Sequence, residues 1–91
     1  MANDDDAKAS VLETNAEFYR VFTRGDIAAM RALWAENAEL LCFHPGGSLL
    51  RGRAEVLGAW EQILAAPPPL DMRCHEAQVH LHGEIAIVTC Y

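Results

Sequence analysis

His44 is the first residue to consider, because histidine changes charge nearest neutral pH and so serves as acid, base or hydrogen-bond donor. It closes the run Glu39-Leu40-Leu41-Cys42-Phe43-His44 and precedes Pro45-Gly46-Gly47. In an extended segment it shares a face with Cys42 and Leu40. The plainer reading makes it a partly buried histidine that bonds the turn and fixes its shape. Asn15 interrupts an apolar stripe, where a buried amide must find partners. It either ties its helix to a loop or offers its amide to a ligand. Trp34 and Trp60 lie on helical stripes, as core or as the edge of a pocket, and each indole N–H wants an acceptor. Arg51 and Arg53 flank Gly52 ahead of a helix. There they either clamp an anionic ligand or stay solvated against Glu36, Glu39 and Glu55.

Other chemistries find less support. His80 and His82 form an H-x-H pair on one strand face, but no third ligand is well placed, so no metal is expected. Cys42, Cys74 and Cys90 are far apart with no C-x-x-C pair, and read as reduced packing thiols of a cytoplasmic protein. No G-x-S-x-G, phosphate loop or H-E-x-x-H occurs, so no cofactor is expected and a covalent hydrolase or nucleotide enzyme is disfavoured. Seven basic and thirteen acidic residues give a net charge of −6, unsuited to gripping nucleic acid. The amino end is acidic, unlike a secretory leader, and no run approaches the roughly 18 apolar residues that span a membrane. With 52% apolar and 22% charged residues in 91, the chain can build one small core.

The elements that must position these residues follow from periodicity. A first helix is expected just after Asp4-Asp5-Asp6, with residues 1–6 a flexible acidic tail. Val11, Asn15, Phe18 and Phe22 form its stripe, widened by Leu12, Ala16 and Tyr19. Gly25 stops it, and Asp26 caps a short second helix with Ile27, Met30, Leu33 and Trp34 inward. A strand over Glu39–His44 turns at Pro45-Gly46-Gly47 into a brief return at Ser48-Leu49-Leu50. A third helix begins near Gly52 and Glu55 with the stripe Val56, Trp60, Ile63 and Leu64, and Pro67-Pro68-Pro69 forbids its continuation. Met72–Leu81 reads as a strand with Ala77, Val79 and Leu81 on one face and Cys74, Glu76, Gln78 and His80 on the other. His82-Gly83 turns it into a second strand, Glu84–Tyr91. The sum is a single α+β domain over residues 1–91.

The segments Asn15-Ala16-Glu17-Phe18-Tyr19, Gly25-Asp26-Ile27-Ala28-Ala29-Met30 and Leu33-Trp34-Ala35-Glu36-Asn37-Ala38 resemble the opening of the nuclear transport factor 2-like superfamily. His44-Pro45-Gly46-Gly47, Leu50-Arg51-Gly52-Arg53 and Trp60 resemble its SnoaL-like branch. The resemblance implies a cone-shaped fold in which a curved antiparallel sheet wraps three helices around an apolar pocket. Members include steroid isomerases, polyketide cyclases, dehydratases and protein-binding modules. They commonly dimerise through the outer sheet face, which implies a homodimer. They also continue for two further strands, which implies that residues 1–91 are about three-quarters of the fold, with the Tyr91 edge exposed, paired with another chain or poorly ordered.

In the ketosteroid isomerases of that superfamily the base is an aspartate before a proline at the end of the first strand. With two extra residues in the strand, that position matches His44. Their helix-one oxyanion tyrosine matches Phe18, with Tyr19 about 100° around the helix. Steroid isomerisation is therefore not implied. The leading expectation is a pocket of unassigned activity for a small apolar or amphipathic molecule, lined by Asn15, Phe18, Tyr19, Trp34, Cys42, Arg51 and Trp60, with His44 as the candidate acid–base group should it carry out any chemistry. The alternatives are an isomerase, cyclase or dehydratase using His44 with Arg51 or Asn15, and a protein-interaction module.

Overall fold

The computed structural model describes residues 3–66 and 71–91. The triple proline lies outside them. Helix α1 spans Asp4–Arg24 and begins earlier than expected, within the acidic run. Asn3 is its N-cap, accepting a hydrogen bond from the Asp6 amide at 2.8 Å. Asp4, Asp5 and Asp6 thus form the first turn, where their charges complement the helix dipole, so these three residues are not a tail. Gly25 ends the helix at φ 67°, a left-handed cap that glycine adopts without steric cost. Asp26 then accepts from the Ala29 amide at 3.0 Å and starts α2, Ile27–Leu33.

The expected strand over Glu39–His44 shrinks to β1, Leu41–Cys42, paired antiparallel with β2, Leu50–Arg51. Between them the Gly47 amide donates to the His44 carbonyl at 2.9 Å, closing the turn. Burial alternates along this segment: Leu40 is buried, Cys42 and His44 are half-buried, and Leu41 and Phe43 are exposed. The alternation puts His44 and Cys42 on the core side. Helix α3 follows directly, Gly52–Ala65, and buries Val56, Leu57 and Trp60.

Strands β3, Gln78–His82, and β4, Ile85–Thr89, form an antiparallel hairpin in register Gln78↔Thr89 to His82↔Ile85. The two-residue turn is Gly83-Glu84, one position later than expected, with Gly83 at φ 63°. Among the described residues the strands lie in two two-stranded sheets beside three helices, an α+β arrangement. The core joins α1, α2, β1's flank and α3 through Val21, Met30, Leu40, Val56 and Trp60. Arg53 at the start of α3 reaches back across it. Its guanidinium donates to the carbonyls of Trp34, Ala35 and Arg31 at 2.9, 3.0 and 3.1 Å. Those are carbonyls at the end of α2, which no helical amide satisfies. Arg53 is therefore a helix-end clamp, neither an anion clamp nor a solvated arginine.

One backbone irregularity sorts the side chains of the hairpin's approach. His75 and Tyr91 exchange both backbone hydrogen bonds, at 2.7 and 2.9 Å. Continuing the β3–β4 register would instead set Tyr91 opposite Glu76. The extra residue is taken up at Glu76, whose φ of 56° is the one positive value outside glycine among the described residues. Such a bulge reverses the alternation upstream. Cys74 consequently turns toward α1, while Gln78, His80 and His82 stay outside. The expected common face of Cys74 with Gln78 and His80 is corrected by this bulge.

Candidate functional site

The apolar stripe of α1, the end of α2, the β1 segment and α3 meet around an open cavity of about 680 Å³. Asn15, Phe18, Tyr19, Trp34, Cys42, His44 and Trp60 all line it. Arg51 does not. It is exposed at the α3 N-cap, where its backbone amide donates to the Glu55 carboxylate at 3.3 Å. Ser10, Val11, Thr14, Phe22, Leu33, Phe43, Pro45, Met72 and Val88 also line it. Val11 and Phe22 were already legible as members of the Asn15 stripe. Met72 is placed by a reciprocal pair of bonds with Thr23, at 3.1 and 3.2 Å, that no sequence pattern announces.

The walls are aromatic and meet edge-on. Trp60, 3% exposed, has ring-centroid distances of 5.4 Å to Phe18, 5.0 Å to Phe22 and 4.9 Å to His44, all T-shaped. This geometry sets the positive ring edge of one against the negative face of another. His44 is thus held by Trp60 on one side and faces Cys42 on the other, with 3.6 Å between Nε2 and Sγ. Burial pushes the Cys42 thiol pKa up, keeping it protonated. The Trp34 and Trp60 indole N–H groups are buried with no partner among the described residues. A protein tolerates few such donors, since each forfeits its hydration.

On the far wall, α1 meets the hairpin through sulfur. The Asn15 amide donates to Cys74 Sγ at 3.5 Å, and the Tyr19 hydroxyl stands 3.6 Å from Cys90 Sγ. The contact with Cys90, aided by burial, pushes the Tyr19 pKa up to about 12, so the phenol stays neutral. Asn15 therefore does tie α1 to a neighbouring segment, while still lining the cavity. None of the described lining residues is Asp, Glu, Lys or Arg. His80 lies outside, on the solvent face of the hairpin, its Nε2 3.1 Å from Thr89 Oγ1. No group of three or more metal-ligating side chains occurs among the described residues.

The SnoaL-like domain family matches residues 11–91. The chain belongs to that family. A solved structure supports the assignment of this SnoaL-like domain. It is a protein from Streptomyces avermitilis, of the nuclear transport factor 2-like family and provisionally described as a dehydratase. It superposes with a TM-score of 0.88 at 30% identity, over 97% of this chain and 70% of the other. No curated protein matches the SnoaL-like chain. Among its described residues no helix is long and apolar enough to cross a membrane.

Proposed function

We propose that this SnoaL-like domain binds a small apolar or amphipathic molecule in the cavity, with His44 addressing its polar end. The observation that carries the reading is convergence: Asn15, Phe18, Tyr19, Trp34, Cys42, His44 and Trp60, from four separate segments, line one cavity. Apolar aromatic walls with a few polar groups are the usual makeup of a ligand site. The test is a thermal-shift panel of apolar ketones and carboxylic acids on the intact protein and its His44→Ala variant. A ligand at about a hundred times its Kd stabilises the protein by about 2.7 kcal/mol. At least one compound should shift the intact protein and shift the variant less. No shift from any compound sinks the reading.

A second reading, elimination of water with His44 as acid–base group, is favoured by the description of the Streptomyces avermitilis protein. Its sign would be turnover of a hydroxylated ligand that His44→Ala binds but does not dehydrate. The reading also includes a cytoplasmic setting, in which the three free thiols stay reduced. It includes as well a homodimer through the outer face of β3–β4, where Ile85 and Ile87 are 64% and 49% exposed. Light scattering that finds only monomer across the accessible concentration range would count against the dimer.

A further inference from the structure

We propose that Cys42 and His44 form a nucleophile–base pair that captures α,β-unsaturated carbonyl compounds bound in the cavity. The inference rests on the ligand-binding reading above and adds the chemical class of the ligand. Three observations carry it. Both side chains line the same cavity, and Sγ and Nε2 are 3.6 Å apart. A thiol beside an imidazole, in a site whose other described lining residues are uncharged, is the arrangement that activates cysteine as a nucleophile. The base is also oriented by a third group, because the Trp60 ring packs edge-on against His44 at 4.9 Å. Finally, Trp34 and Trp60 line the cavity with aromatic rings, and their indole N–H groups are buried with no acceptor among the described residues.

The other two cysteines sharpen the assignment. Cys74 and Cys90 meet the Asn15 amide and the Tyr19 hydroxyl, neither of which accepts a proton at neutral pH. Cys42 alone among the three has an imidazole at hand. Its burial favours the neutral thiol, so its reactivity depends on a base rather than on standing thiolate.

The addition balances without a further reagent. With His44 in the tautomer protonated at Nδ1, the free Nε2 takes the Cys42 thiol proton as Sγ bonds to the β carbon of the enone. The carbon–carbon π pair shifts toward the carbonyl and is held as an enolate. His44 then returns the proton to the α carbon. One carbon–sulfur bond forms, one π bond is lost, and the product is a saturated thioether with no oxidant or reductant consumed.

The experiment uses the intact chain with two compounds of nearly the same shape: benzylideneacetone, which is an enone, and benzylacetone, its saturated counterpart. Peptide mapping by mass spectrometry reads the site and rate of adduct formation, and thermal shift reads binding of the saturated ketone. The adduct is expected on Cys42 ahead of Cys74 and Cys90. The rate should fall about tenfold or more in both His44→Ala and His44→Gln. The second variant, closer in size, guards against misfolding, and circular dichroism checks both. Benzylacetone should slow the reaction by occupying the cavity. Labelling spread evenly over the three cysteines, or a Cys42 rate unchanged in folded His44 variants, overturns the pair. Binding of benzylacetone without any enone adduct overturns the pair and leaves the ligand-binding reading standing. Absence of both binding and adduct overturns the pair together with the cavity's affinity for ketones.

Discussion

Removing the Arg53 side chain should loosen the wall of the cavity without substituting any residue that lines it. Its guanidinium makes three hydrogen bonds to carbonyls at the end of α2, two of them to Trp34 and Ala35. A hydrogen bond to a charged group contributes about 1.5–3 kcal/mol when desolvated, but Arg53 is only half-buried and the freed carbonyls can be hydrated. About 0.5 kcal/mol for each of the three bonds is the reasonable discount, giving about 1.5 kcal/mol for Arg53→Ala. For a domain of this size that is about 6–12 °C in Tm. Urea denaturation followed by tryptophan fluorescence measures it, and Arg53→Lys should recover about a third, since one ammonium cannot reproduce the planar fork. Because the Trp34 carbonyl is one of the three acceptors, Trp34 emission in the folded Arg53→Ala protein should also shift toward that of a wetter indole. A stability change under about 0.3 kcal/mol would refute the clamp.

Three further perturbations follow. Tyr19 has its folded pKa raised from 10.0 to about 12, so its contribution to stability is complete below pH 10.0 and is lost as pH climbs toward about 12. Phenolate absorbance in a Tyr91→Phe background should therefore appear later in the folded than in the urea-unfolded protein, and coincident titrations would contradict the Cys90 contact. Trp60→Ala deletes the ring on which Phe18, Phe22 and His44 pack, at an expected cost of about 3–5 kcal/mol by chemical denaturation. A loss under about 1 kcal/mol would show that the ring is not central to the core. At the bulge, Glu76→Gly should be neutral or stabilising, whereas Glu76→Val should cost about 1 kcal/mol or more, because a branched side chain suffers most at φ 56°. The reverse order in urea midpoints would argue against the left-handed residue.

What was legible in the sequence was whatever a short stretch determines by itself. The Gly25 stop and the Asp26 cap are local stereochemistry, and both occur as read. The α1 and α3 stripes and the alternation Leu40, Cys42, His44 are periodicities, and they set six of the eight expected residues, all but Trp34 and Arg51, on faces that line the cavity. Trp34 lines the cavity from the C-cap of α2. Arg51 was misplaced because its neighbour Arg53 makes the long-range contact, and adjacent arginines look alike until the fold chooses between them. The parity of Cys74 was illegible for a different reason. A bulge at a glutamate carries no composition signal, and one extra residue reverses every face upstream of it. Asp4–Asp6 were misjudged because an acidic run suits both a solvated tail and a helix's first turn, and Asn3 decides between them.

The cavity lining has His44 and no carboxylate, lysine or arginine among its described residues. A charged guest therefore finds no carboxylate, lysine or arginine there to offset the hydration it gives up on entry. A ketone should accordingly outrank a carboxylate of equal shape, so that the walls select among guests by how cheaply each leaves water.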